Sequence, residues 1–280
     1  MAIIPVVVGF QHIPVGGTWV APGTGYSNEA SQFFNRITDP GTTRKSLYAA
    51  MIDGLVADGV WSLLDALYIF AADISANGLA NLKSSSFGLT SNGAMTFTAN
   101  VGYQSNNVGT SNLDTGFVPS TAGGQFALNS ASLGVYSLTA STTSGATNDA
   151  IGCVDTGAAH RSFFNPNNGG NTFEGINQDS GQGIGSNTQH QGMWVLTRTT
   201  SALTTCYKNG TSIGTDPLNT ASSALPNRSI MIFARNNTTP DPYADQMSAG
   251  FIGGGLNATQ ASNLSSRINT YMTSLGINVY

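Results

Sequence analysis

Charge is what this 280-residue chain has least of: Asp, Glu, Lys and Arg make up 9% of it, against roughly 25% in an average soluble domain. Gly, Ser, Thr and Asn fill the gap, so the surface must be solvated by hydroxyls and amides. Such a composition is rare in cytosolic enzymes and common in extracellular β-rich proteins and particle components. The formal net charge is only −4, and no basic run exceeds Arg44-Lys45. This gives no electrostatic footing for nucleic acid or an anionic membrane surface. No stretch approaches the ~18 apolar residues of a membrane span, so membrane insertion is not expected. The first ten residues are apolar, but they lack a basic start and Pro5 interrupts them, unlike a secretory leader. A chain of extracellular character without an export signal is expected to leave the cell another way, such as lysis.

Catalytic groups are equally sparse. The chain has two glutamates, Glu29 and Glu174, and no strand presents alternating acids. Retaining glycoside hydrolysis needs two carboxyl groups about 5–5.5 Å apart, which only aspartates distant in sequence could supply. Three histidines, His12, His160 and His190, have no partner at zinc-ligand spacing. A Gly-x-Ser-x-Gly elbow is missing. Gly181-Gln182-Gly183-Ile184-Gly185 lacks the Lys-Ser/Thr of a phosphate loop and is expected to be a flexible loop. The expectation is a protein that is not an enzyme. Two cysteines, Cys153 and Cys206, either pair or stand as two buried thiols, since one pair gives no framework pattern.

What is present is pattern. Residues 1–30 are rich in Gly and Pro with interspersed apolar side chains, a composition that cannot build its own core. They read as an extended arm, docked either on another protein or on this chain's own domain. Ile3, Ile4, Val7, Phe10 and Trp19 are its candidate anchoring residues. Residues 31–90 read as a helical collar. Within it, 42–58 has apolar residues at i, i+4 spacing, Thr42 or Thr43 as a cap and Gly59 as a stop. Leu67 to Ala71 is a candidate strand, and Asp73 can cap a short helix reaching Leu82.

Residues 91–280 change to short strands between Gly, Asn and Ser clusters: 95–99, 131–139, 149–154, 160–165, 171–177, 192–199, 202–208, 211–215, 228–235 and 246–253. That spacing means a sandwich or barrel. Asn209-Gly210 favours the positive φ angles of a type I′ hairpin turn. After Asn257 and Gln260, which fit a capping box, Ala261, Leu264, Ile268, Tyr271 and Leu275 form one apolar stripe of a closing helix.

Three consecutive pieces resemble the C-terminal half of the laminin-G-like, concanavalin A-like lectin/glucanase jelly roll. They are His190 to Thr197 with its Trp194, the Leu203 to Thr215 hairpin carrying Tyr207-Lys208-Asn209-Gly210, and Asn227 to Arg235. Phe251-Ile252-Gly253-Gly254-Gly255-Leu256 then leads into the helix as that family's last strand does. A wider match, roughly 27–275, resembles bacteriophage and prophage virion proteins of this class. It runs through Tyr26 to Ala30, Phe33-Phe34, Ile52 to Trp61, Leu64 to Tyr68, Leu113 to Phe117, Pro119 to Ala122 and Arg267 to Met272. The resemblance implies a mainly β, antiparallel jelly-roll β-sandwich on a virion surface: a tail fibre or spike that recognises host-surface glycans. The arm and the apolar face of 42–58 offer more surface than one sandwich edge can cover, so a homo-oligomer is expected; the resemblance favours a trimer, held to other virion proteins through the arm. The alternatives are an architectural capsid decoration or tail connector, and, less favoured, a glycan-degrading depolymerase.

The candidate glycan contacts are loop-borne: Tyr243, Asp241, Asn236, Asn237 and Asn165. Each also suits plain turn chemistry. Trp194, Met247 and Phe251 read as strand core. No cofactor is expected. Ca²⁺ remains an option through the loop residues Asp149, Asp155, Asp179 and Asp241, none of which has a second acid beside it in sequence.

Overall fold

A computed structural model describes residues 25–157, 159–217 and 221–280. The arm candidates Ile3, Ile4, Val7, Phe10 and Trp19, with His12, lie outside the described residues. The helices are α1 (Asn28–Phe34), α2 (Thr42–Ala57), α3 (Ser75–Gly78), α4 (Pro119–Ala122) and α5 (Ala258–Ser274). The strands are β1 (Leu64–Ile69), β2 (Thr90–Asn92), β3 (Met95–Thr98), β4 (Gly102–Ser105), β5 (Asn112–Asp114), β6 (Ala131–Ser137), β7 (Ile151–Val154), β8 (Arg161–Asn168) and β9 (Asn171–Gln178). They continue as β10 (Gln182–Ser186), β11 (Gly192–Thr200), β12 (Leu203–Lys208), β13 (Thr211–Asp216), β14 (Met231–Ile232), β15 (Ala234–Asn236), β16 (Asp241–Pro242) and β17 (Gln246–Gly253).

These strands form two antiparallel sheets in a mainly β, jelly-roll sandwich. The first runs β13-β12-β11-β6-β17-β4-β3, with β1 also paired to β17. The second runs β10-β9-β8-β7-β14-β5-β2, with β15 joined to β7 by a short parallel pairing. All ten strand regions read from the sequence become strands. The Asn209-Gly210 turn adopts φ of 54° and 77° and pairs β12 with β13 at Lys208–Thr211.

The first sheet is buried on both faces. Trp194 and Leu196 of β11, Ala66 and Tyr68 of β1, and Met247 and Ile252 of β17 face the second sheet. Their neighbours Met193, Val195, Leu67, Ile69, Ala249 and Phe251 face the helices. This is why these strands read as apolar runs rather than clean alternations. The helical layer is held by α5, whose stripe residues Ala261, Leu264, Ile268 and Tyr271 are buried with Tyr48, Met51, Ile52 and Leu55 of α2. Asn257 and Gln260 close a reciprocal capping box at its start. At α2 the cap is Gly41, not Thr42 or Thr43, and the Asp39 carboxylate accepts the Gly41 N–H instead.

Two consequences follow for the expectations. The region 31–90 does not stand apart as a collar, since its strand β1 pairs with β17 across 64–69 and its helices share the core with α5. Much of the apolar face of α2 is therefore covered within the chain by α5, so it does not offer the open surface expected for a second subunit.

The glycine-rich segment at 181–185 is a strand, not the expected flexible loop: β10 pairs with β9. Its glycines serve close approach. A Cβ on Gly185, at φ +60°, would lie 2.3 Å from the Ile213 carbonyl oxygen, and one on Gly214 would lie 2.7 Å from Ile184. Only glycine lets β10 and β13, the end strands of the two sheets, touch backbone to backbone.

The polar groups inside are mostly paired, as burial requires. Arg198, 1% exposed, reaches from β11 to the second sheet and donates to the carbonyls of Ile176 and Asn177 and to Asn129 Oδ1. Among the described residues Glu174 is one of the exceptions. It is fully buried, and neither carboxyl oxygen has a hydrogen-bond partner. Cys153 and Cys206 are buried free thiols.

Candidate functional site

At one end of the sandwich four loops converge. His190 ends the 187–191 loop; its N–H donates to Ser141 O and its carbonyl accepts the Trp194 indole N–H at 2.7 Å. The 106–111 loop lies so close to the 237–245 loop that a Cβ on Gly109 would sit 2.3 Å from the Pro240 carbonyl. Between them opens a recess of about 130 Å³ lined by Asn107, Ser141, Thr143, Asn148, His190, Tyr243, Ala244 and Asp245. Asn107 and Thr143 are exposed and Ser141 and Asn148 half-buried, so amides and hydroxyls form its reachable wall.

Beneath that wall is a buried polar layer. His190 Nδ1 lies 2.9 Å from Asp245 Oδ2 and Nε2 lies 2.7 Å from the Thr143 carbonyl oxygen. The Ser137 hydroxyl donates to the same Asp245 oxygen at 3.1 Å. A carbonyl can only accept, so Nε2 carries a proton, and one more proton lies between Nδ1 and Asp245. Tyr243 stacks on the His190 ring with centroids 5.3 Å apart. Burial, reinforced by the Asp245 carboxylate, holds its hydroxyl protonated, well above the ordinary phenol range. That hydroxyl lies beside the Asp245 carboxylate and the Ser137 hydroxyl.

Serine, histidine and aspartate thus meet here, but in the wrong order for acyl transfer. A nucleophilic triad needs the hydroxyl on the imidazole; here Ser137 bonds the acid, and a backbone carbonyl caps the second imidazole nitrogen. The layer is built to hold the loops of the recess in place.

Beside it sits an ionic cluster. Arg235 Nη2 contacts Asp241 Oδ2 at 2.5 Å and Arg235 Nε lies 3.3 Å from Asp149 Oδ2. The guanidinium also lies 4.5 Å over the Phe163 ring, a favourable cation–π distance. Asp149 is fully buried. Burial pushes its carboxyl up to about 8, against the pull of Arg235 and with a smaller push from Asp241. A second aspartate pair brackets His160, with Asp179 at 3.0 Å and Asp155 at 3.9 Å. The four loop aspartates considered for Ca²⁺ therefore surround protein side chains. Among the described residues no group of three or more His, Cys, Asp or Glu is placed to hold a metal ion.

The structure redistributes the expected contacts. Tyr243 borders the recess but is 1% exposed; the proline-flanked loop folds its ring under onto His190, so it offers no open stacking face. Asn165 is buried and acts at one remove, donating to Gly145 O and accepting from the Asn167 N–H, which pins the 139–150 loop. Asp241 neutralises Arg235, with Asn237 Nδ2 3.5 Å from the same carboxylate. Asn236 stands apart, tied to Ser229. The recess residues missed from the sequence are Asn107, Ser141, Thr143, Asn148, His190 and Asp245. Their only local signal was the Asn/Ser/Thr richness of the loops, and His190 and Asp245 are 55 residues apart.

No family model and no curated protein matches the sequence. Solved structures do. The botulinum neurotoxin serotype G binding domain aligns with a TM-score of 0.51 and 14% identity over 74% of this chain and 51% of that one. The Trypanosoma rangeli sialidase in complex with the inhibitor DANA aligns at 0.51 and 11% over 79% of this chain and 38% of that one. Domain 4 of a GH43 extracellular arabinanase from Geobacillus stearothermophilus, in complex with arabinotriose, aligns at 0.46 and 17% over 72% and 98%. The chain thus spans about half of the toxin domain and about two fifths of the sialidase. At such identities the likeness is one of fold, and the fold is the β-sandwich of lectin- and glycosidase-like domains.

Proposed function

We propose that this chain is a non-catalytic glycan-binding sandwich carried on the surface of a bacteriophage particle. The observation that carries the glycan reading is the recess: a preformed hollow between four loops, walled by Asn107, Ser141, Thr143 and Asn148. A sugar ring presents hydroxyls in several directions, and fixed amides and hydroxyls match them as donors and acceptors. The layer of His190, Asp245, Ser137 and Tyr243 pre-organises that wall, which lowers the ordering cost of binding. The sandwich frame, shared with the sialidase and the toxin binding domain, agrees with this reading but does not name a ligand.

The non-catalytic part rests on the recess chemistry. Its one carboxylate, Asp245, is already bound by His190 and Ser137, and the Asp149–Asp241 pair is bridged by Arg235. The particle setting rests on the ordered motifs from Tyr26 to Met272 and on the uncharged composition.

A glycan array followed by calorimetry on the full chain tests the site. Asn107→Ala with Asn148→Ala should weaken the best-binding glycan about tenfold or more, at unchanged melting temperature. No binding to any glycan would overturn the reading and leave the architectural role. Oligosaccharide release from host capsule would refute the non-catalytic assignment. Failure to find the chain in purified particles by mass spectrometry would remove the virion setting.

A further inference from the structure

We infer that the recess takes an uncharged sugar and disfavours saccharides bearing a carboxylate or sulfate, an inference that rests on the glycan reading above. The argument is a census of donors and charges. An anionic sugar needs a cation or a cluster of free N–H groups to replace its hydration shell. Among the described residues His190 is the one basic side chain lining the recess, and both its ring nitrogens are committed, one to Asp245 and one to Thr143 O. Arg235 does not line the recess and is occupied by Asp149, Asp241 and the face of Phe163. Two further cations touch these loops, Lys208 through Asn187 and Arg228 through Thr238; neither lines the recess.

Among the described residues Asp245 is the acid of the wall, and it shares a proton with His190, so the pair leaves no free counter-charge for an incoming carboxylate. What remains reachable is neutral: the Asn107 and Asn148 amides and the Ser141 and Thr143 hydroxyls. Discrimination arises from the missing counter-charge, since nothing in the recess replaces the hydration shell that an anionic group gives up on entering.

The test uses matched pairs that differ only at one carbon, glucose- against glucuronic-acid-terminated and galactose- against galacturonic-acid-terminated oligosaccharides, titrated into the full chain at low and high salt. The neutral member should bind about tenfold or more tightly, with little salt dependence. Asn107→Arg, at an exposed wall position, should shift the ratio towards the acidic member by about fivefold or more and make its binding salt-sensitive. Acidic members binding equally or better would overturn the inference while the glycan reading stands, as would a ratio unmoved by Asn107→Arg. If no saccharide binds, the glycan reading itself fails and takes this inference with it.

Discussion

Replacing Glu174 by Gln should flatten the pH dependence of unfolding and leave the fold intact. The side chain lies on the inward face of β9 with Ile176, in the core that holds Ile184 and Cys206, and its two oxygens lack hydrogen-bond partners. Burial, and secondly the charge of Asp216, raise its pKa well above the ordinary carboxylate range. In the unfolded chain the same group releases its proton near pH 4.3. The unfolded state therefore binds fewer protons than the folded one above that pH, and stability falls as pH rises, by about 1.4 kcal/mol per unit. The loss continues until the buried carboxyl itself ionises. Two pH units thus cost roughly 3 kcal/mol, a large part of a total stability of about 5–15 kcal/mol. Asp149, pushed up to about 8, adds a slope of the same sign to both proteins and cancels in their difference. Urea titrations at half-unit steps from pH 4 to pH 7 should give curves that meet near pH 4 and diverge by about 1.4 kcal/mol per unit. Parallel curves would refute the reasoning: Glu174 would then be partnered in the folded protein.

Three further outcomes are expected. Tyr243→Phe removes a buried hydroxyl that lies beside the Asp245 carboxylate and the Ser137 hydroxyl, so stability should fall by about 1–2 kcal/mol; an unchanged midpoint in denaturant titration would mean the hydroxyl makes no bond in the folded protein. His190→Leu strips the donors from Asp245 and Thr143 O and should cost about 3 kcal/mol or more, with faster amide exchange over 139–149; unchanged exchange there would refute the role of His190 in holding that loop. Deleting residues 1–24 should leave residues 25–280 folded but monomeric by light scattering, while the full chain assembles; equal oligomeric states would remove the anchoring role of Ile3, Ile4, Val7, Phe10 and Trp19.

The legible parts of the fold were those written locally. Asn209-Gly210 sets its own turn geometry, Asn257 and Gln260 cap α5 within four residues, and Trp194 sits in a strand too apolar to be anything but core. β10 was misread because its glycines answer to Ile213 and Gly214, some thirty residues away, which no local pattern announces. The recess was half legible. Tyr243, Asp241 and Asn237 fall in the expected turn-rich segment beside the recess, and Asn165, expected in a loop, lies in β8 and bonds the neighbouring 139–150 loop, but all four serve as struts. The groups that face outward depend on which side of each loop turns to solvent, and His190 meets Asp245 only through the pairing of β6 with β11 and β17. Tyr243 shows the difference most plainly: its flanking prolines announce a loop and say nothing of where the ring goes.

The glycine contact between β10 and β13 also decides how the molecule can meet foreign backbone. At that side the terminal strands of both sheets lie against each other, so an extended peptide finds no free row of amides and carbonyls to zip onto. At the opposite end of each sheet stand β2 and β3, short, uncharged and threonine-bearing. Strand addition, whether by a neighbour in a lattice or by an aggregating copy, therefore has a polarity: that rim can accept a guest, and the glycine-sealed rim refuses one.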